Sequence, residues 1–418
     1  MTRIRSRTGY VYAFGWATAL TTAQAGAEAP RSAERSAAGS DVATPAYVAT
    51  TAHVATDTVF ALAAGELGRR AERDTLAVLV NPSDVVLLRG PEWRARTIHT
   101  SDDAIGDPEN RPTLSLGDVG GGRSPELVVS ANHQVTVLSP ARRGWRARVI
   151  YDIEGLVANL WGARVGDFDP IRPGNEILVI SEQGFDSSIA DLMYRESGEW
   201  KTSTLFAGEV GMDSAAGDFD PTIAGPETAI VTEMGVSYRV HAPEQTGGVR
   251  DGSPWPRASF WSASDEPDVR PDNSGWVVKV ADVDPTQPGA ELVWGTRYSN
   301  RVLVFSADAT GAFSYQVAID GVFAGSEPLP GYNMWDVAVA DLVPEVPGLE
   351  IAAVDGSGSV YLAWYDSGRW QQRTLWRDDA PLYAVTAGEL DPGAPGLELA
   401  VGGESRAVTV LSRCSQPD

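Results

Sequence analysis

One phrase recurs along this chain and constrains its fold more than any other feature. Gly166-Asp167-Phe168-Asp169-Pro170 is followed by Pro173-Gly174-Asn175-Glu176-Ile177-Leu178-Val179. Variants occupy 217–231, 281–293, 340–354 and 388–401, and weaker copies begin at Gly117 and Gly65. Successive copies start 52, 49, 51, 64, 59 and 48 residues apart. A unit of roughly 50 residues built from short strands cannot bury its apolar face alone. It must stack on copies of itself, as a propeller or a solenoid.

The third copy shows what a unit builds. The pattern predicts strands over Leu160–Val165 and Glu176–Ser181, joined by a turn that Pro170 and Pro173-Gly174 force. A third strand is expected near Asp191–Arg195 and a fourth from Trp200 to Phe206. Four antiparallel strands make a propeller blade. The fourth strand has its own signature: E-W-R-A-R-T-I at 92–98, G-W-R-A-R-V-I at 144–150, E-W-K-T-S-T-L at 199–205 and R-W-Q-Q-R-T-L at 369–375. A tryptophan followed by polar and apolar residues in alternation suits an outer strand with one wet edge. The last copy has only three strands, near 382–387, 398–401 and 407–411. Tyr47–Val54 resembles the other outer strands and supplies the fourth. The fold class is therefore all-β: a seven-bladed β-propeller of four-stranded antiparallel blades. Its ring is closed by an N-terminal strand and spans 46–413, with 414–418 as a tail.

The N-terminus reads as an export signal over 1–25. Arg3, Arg5 and Arg7 precede the apolar stretch Tyr10–Leu20, and Ala23-Gln24-Ala25 or Ala25-Gly26-Ala27 offers the cleavage site. The apolar run is too short to cross a bilayer, which takes about 20 residues. The competing reading is a basic tail on a cytosolic protein. Residues 26–45 are rich in Ala and Ser and read as a disordered linker. We expect a secreted or periplasmic protein. One cysteine, Cys414, excludes intrachain disulfides. Cleavage after Ala25 would remove three arginines and take the net charge from −23 to −26. Such a surface opposes nucleic acid and anionic membranes, and we expect a monomer.

The repeated phrase resembles the FG-GAP/VCBS repeat of integrin α-subunit propellers and of many secreted bacterial propellers. Its wording also looks like repeats in propeller-based rhamnogalacturonan lyases. The resemblance implies a calcium loop of the form D-x-[DN]-x-D-G-x-x-D in the turn after the first strand. Here Asp167 with Asp169, Asp218 with Asp220, and Asp282 with Asp284 match its first two acidic positions. The third position is instead Ile171, Thr222 or Thr286, and the closing acid, Glu176, Glu227 or Glu291, comes one residue late. A hard cation collects six or more oxygens. The alternative is that each aspartate accepts backbone N–H groups in an Asx-turn, while the glutamate holds the loop to the second strand.

Antiparallel topology puts the D-x-D-P turns on one face of the ring and the blade-to-blade connections on the other, where the sequence varies most. Three features point to that second face. Five residues before each motif glycine or alanine stand Phe60, Pro112, Trp161, Met212, Trp276, Trp335 and Tyr383. Their rings suit either a stacking platform at the channel mouth or packing between blades. The six internal connections hold 15 acidic residues and 3 arginines, an acidic rim that would draw a cationic ligand or a basic protein surface. Polar residues, among them Glu182, Glu233 and Arg297, follow the second strands, and Asp213 and Asp336 begin inner ones.

The leading function is a binding module that holds a glycan, small molecule or protein partner on this face. Its candidate ligand-binding residues are Phe60, Trp161, Trp276, Trp335, Tyr383, Asp213, Asp336, Glu182 and Glu233. The alternative is a polysaccharide lyase or hydrolase, with His133, Arg297, Lys279, Tyr383 and Asp336 as candidate acid, base and carboxylate-binding groups. No H-E-x-x-H, G-x-S-x-G, phosphate-binding loop or C-x-x-C is present.

Overall fold

The computed structural model describes residues 46–414 except 68–74, 82–83, 102–111, 123, 132, 154–158, 183–186, 234–235, 249–252, 263–274, 298, 322–332, 392 and 395. The export signal and the linker expected over 1–45 lie outside the described residues. So does most of the acidic rim, at 102–111, 154–158, 263–274 and 322–332.

Seven four-stranded antiparallel sheets form the blades. The innermost strands are Val59–Gly65, Thr113–Gly117, Leu160–Gly166, Gly211–Gly217, Gly275–Ala281, Met334–Ala340 and Leu382–Gly388. Each packs against the next in chain order, and the last packs against the first, so the ring is closed. Tyr47–Val54 pairs with Ala407–Arg413, Tyr47 opposite Arg413 and Val54 opposite Ala407, and completes the seventh blade. The two chain ends thus share one sheet, and a propeller gains closure without a covalent link.

Burial follows from strand position. The second strands, such as Thr75–Val80, Glu291–Thr296 and Glu350–Asp355, are buried along their whole length. Neighbouring blades cover both of their faces, so they read as continuous apolar runs rather than alternating ones. The outermost strands, such as Arg94–Thr100 and Gly144–Asp152, are half wet. In the third blade the outer hairpin is longer than the sequence pattern predicts, with strands Ser188–Glu196 and Glu199–Gly208. Ser197 and Gly198 both have positive φ, 52° and 86°. That two-residue turn matches the strand twist and lets Glu196 pair with Glu199 at the tip.

The inner strands share a defect with consequences for the site. In six blades their register slips between the first and third residues. The residue skipped is Phe60, Trp161, Met212, Trp276, Trp335 or Tyr383. Each is the extra residue of a β-bulge, a device that re-aims one side chain at a sheet end. The second blade, with Pro112 at this place, shows no slip.

Candidate functional site at the mouth of the ring

The D-x-D-P turns close on themselves. Glu176 Oε2 accepts the backbone N–H groups of Phe168 and Asp169 at 3.1 and 3.2 Å. Glu227 does the same for Phe219 and Asp220, Glu291 for Val283 and Asp284, Glu350 for Leu342 and Val343, and Glu398 for Leu390 and Asp391. Glu126 repeats the clamp on Val119 and Gly120. Burial pushes these carboxyls up: Glu176, Glu291 and Glu350 to about 7, Glu227 to about 8. Gly174 (112°), Gly289 (104°), Gly348 (100°) and Gly396 (85°) in these turns have positive φ, which only glycine adopts without cost.

The second aspartates are buried and engaged. Asp169 Oδ1 accepts the Ile171 N–H and its other oxygen meets Arg172 at 2.9 Å. Asp220 and Asp284 each accept both the N–H and the hydroxyl of Thr222 and Thr286. Arg239 pairs with Asp220 as well. Asp167, Asp218 and Asp282 are exposed. Among the described residues no three His, Cys, Asp or Glu side chains gather to hold a metal ion. Calcium at these turns would have to take oxygens that now fix the backbone.

The inner strands line a central cavity of about 480 Å³. Blades splay apart, so successive inner strands are stitched by side chains instead of a ladder. Thr113 Oγ1 donates to the carbonyl of Ala163 and accepts its N–H. Thr386 Oγ1 accepts the Ala64 N–H. Asp213 and Asp336 stand beside bulges and accept the N–H groups of Val278 and Val385 in the next blade. Arg164 forks onto Asp213 at 2.7 and 3.0 Å. Asp213 and Asp336 therefore hold blades together, and Arg164, a basic residue available to the lyase alternative, is engaged by Asp213.

At the mouth the bulged aromatics meet in an arc. Trp276 packs edge-on against Trp335 (5.2 Å between ring centres), Trp335 against Tyr383 (4.8 Å), and Tyr383 stacks beside Phe60 (6.3 Å). None of the four is more than 9% exposed. Trp161 is half-buried and packs both against the cluster that holds the arc and against the apolar cluster of the third and fourth blades. The arc continues through charged groups. Arg297 lies over the Trp276 ring at 4.7 Å and pairs with Glu233 at 2.5 Å. Glu233 in turn raises the Glu182 carboxyl, after the larger effect of burial. Glu182 accepts from Asn159, and Tyr383 donates to Glu404.

Backbone bonds fix this rim: the N–H groups of Glu182, Glu233 and Glu404 donate to Asn159, Val210 and Pro381. The structure thus joins Glu233, Arg297, Trp276, Trp335, Tyr383 and Phe60 in one chain of contacts, and Glu182 is held beside it by Asn159. The enzyme candidates are divided. Lys279, Asp336 and Tyr383 line the cavity, Arg297 is clamped outside it, and His133 is exposed in a turn of the second blade.

No family profile matches the chain, and no curated protein does. Solved structures do. The chain is similar to the N-terminal propeller of BBS1, crystallised in complex with ARL6, at 11% identity and a TM-score of 0.54 over 89% of this chain and 97% of that one. It is equally similar to the β-propeller domain of Cps50 (Swd1) from Myceliophteria thermophila, at 13% identity and 0.54, over 88% and 100% of the two chains. These likenesses show the propeller fold.

Proposed function

We propose that this chain is an exported, monomeric propeller of the FG-GAP/VCBS kind that binds a protein partner on the face opposite its D-x-D-P turns. The sealed aromatic arc carries the reading. Trp276, Trp335 and Tyr383 meet edge to face, Tyr383 stacks beside Phe60, and all four expose 9% or less of their surface. A sugar-stacking platform needs an open ring face, and exposures of 9% or less are too small to offer one. With the centre sealed, what the rim offers a partner is its fixed charges, Glu182, Glu233, Arg297 and Glu404, and charge complementarity of that kind suits a protein surface. The BBS1 propeller, crystallised with ARL6, supports this use by analogy of fold only.

Thermal-shift screening with oligosaccharides and small sugars tests the reading. No stabilisation is expected. A glycan that raises the melting temperature of the wild-type chain, and no longer does so in Trp335→Ala, overturns the protein-partner reading in favour of a carbohydrate site.

A further inference from the structure

The outer strands of blades 1 and 2 each carry two arginines on alternate residues, whereas the outer strand of blade 6 spaces its Arg369, Arg373 and Arg377 four apart. Blades 1 and 2 carry Trp93-Arg94-Ala95-Arg96 and Trp145-Arg146-Ala147-Arg148. Blades 3 and 6 hold Trp200-Lys201-Thr202-Ser203 and Trp370-Gln371-Gln372-Arg373 at the same places, and the outer strands 47–54 and 313–320 have no arginine or lysine. The strands of blades 1 and 2 are neighbours and touch. The Arg96 guanidinium stands 3.5 Å from where a Cβ on Gly144 would lie, so it reaches the turn that carries Arg142 and Arg143. Arg89 is the cross-strand partner of Arg94.

Segments 89–96 and 142–148 hold seven arginines and one acid, Glu92, in a chain of net charge −23. All seven arginines are exposed. Glu92 pairs with Arg94, and among the described residues none of the other six is ion-paired. Edge strands use charge to refuse a second edge, but the strands at 47–54 and 313–320 manage that without a cation. Like charges set opposite one another are destabilising, so this cluster calls for an anionic occupant.

We propose that the outer wall of blades 1 and 2 docks a short acidic segment of a protein partner, on a surface separate from the rim. Alternate residues on a strand are roughly 7 Å apart. That spacing presents Arg94 with Arg96, and Arg146 with Arg148, to alternate carboxylates of an extended peptide, and the guanidinium fork fits a carboxylate with two parallel bonds. Length decides the class of partner. Screening confines attraction to about 8 Å at physiological salt. A long polyanion or an anionic membrane would extend past the patch onto the acidic remainder of the molecule. A short acidic peptide stays within it.

Fluorescence anisotropy with a labelled twelve-residue peptide of alternating Glu and Ser tests this. The variant R94Q/R96S/R146Q/R148S gives these strands residues like those of blades 3 and 6, so folding is retained; circular dichroism checks it. The wild type is expected to bind, more weakly at 300 mM than at 50 mM salt. The variant should lose about tenfold in affinity, while Lys201→Gln on blade 3 changes nothing. Failure of the wild type to bind the peptide, equal binding by the fourfold variant, or binding of heparin or phosphatidylserine vesicles without the peptide each overturns the proposal.

Discussion

Glu350 offers a sharp test of what the repeated glutamate does. It is wholly buried, and one oxygen takes the N–H groups of Leu342 and Val343 at 2.7 and 2.8 Å. Its blade has Val343 where the third, fourth, fifth and seventh blades have an aspartate, so no aspartate carboxylate at that position shares the turn's N–H groups with the glutamate. Burial raises its carboxyl from 4.5 to about 7. In the unfolded chain it titrates near 4.5, so the folded state holds its proton more tightly. The stability this contributes is fully present below pH 4.5 and is lost as pH rises through about 7. A difference of about 2.5 units corresponds to at most about 3 kcal/mol. Glu350→Gln keeps an oxygen for both N–H groups and never charges. It should match the wild type at pH 4.5 and be more stable at pH 8, by up to about 3 kcal/mol. Glu350→Ala orphans two buried donors at about 1–3 kcal/mol each and should destabilise at both pH values. Urea unfolding followed by tryptophan fluorescence at the two pH values reads both. A Gln variant less stable than the wild type at pH 8 would refute the reasoning, because it would mean that the charged carboxylate itself holds the turn.

Other outcomes follow from the same contacts. Asp213→Asn takes the carboxylate charge from a part-buried guanidinium and should cost about 3 kcal/mol, whereas Arg164→Met with Asp213→Leu should cost far less; chemical denaturation of the two variants checks this. Trp335→Ala removes the centre of the aromatic arc, should cost about 3–5 kcal/mol, and should collapse the near-ultraviolet dichroism. Adding calcium, or chelating it, should leave the melting temperature unchanged, because Asp220 and Asp284 already spend an oxygen on Thr222 and Thr286. A rise of several degrees with calcium would contradict that account of the turns.

Much of the ring was legible in the chain because a turn must be punctuated. Pro170, Gly174 and Glu176 mark one turn, and repeating them counts the blades. The missing outer strand of the last blade pointed to Tyr47–Val54, and that strand closes the ring. The rim was legible in part. Glu182, Glu233 and the aromatic tier could be named from their offset to the motif, but what they touch could not. A bulge decides where Trp335 points, and a one-residue slip leaves no mark in a sequence. Arg164 and Asp213 stand 49 residues apart, on successive inner strands, and only the curvature of the ring sets their fork. The basic wall was visible as two copies of W-R-A-R, yet its concentration depends on the two blades being neighbours.

The central claim is that a protein partner docks on the rim. A photo-reactive amino acid placed in turn at Glu182, Glu233 and Glu404, and at Asn175 and Gln287 on the opposite face, tests it in the cells that make the protein. The account predicts one discrete cross-linked protein shared by the three rim positions and absent from the other two. Cross-links that arise from Asn175 and Gln287 and spare the rim would contradict it.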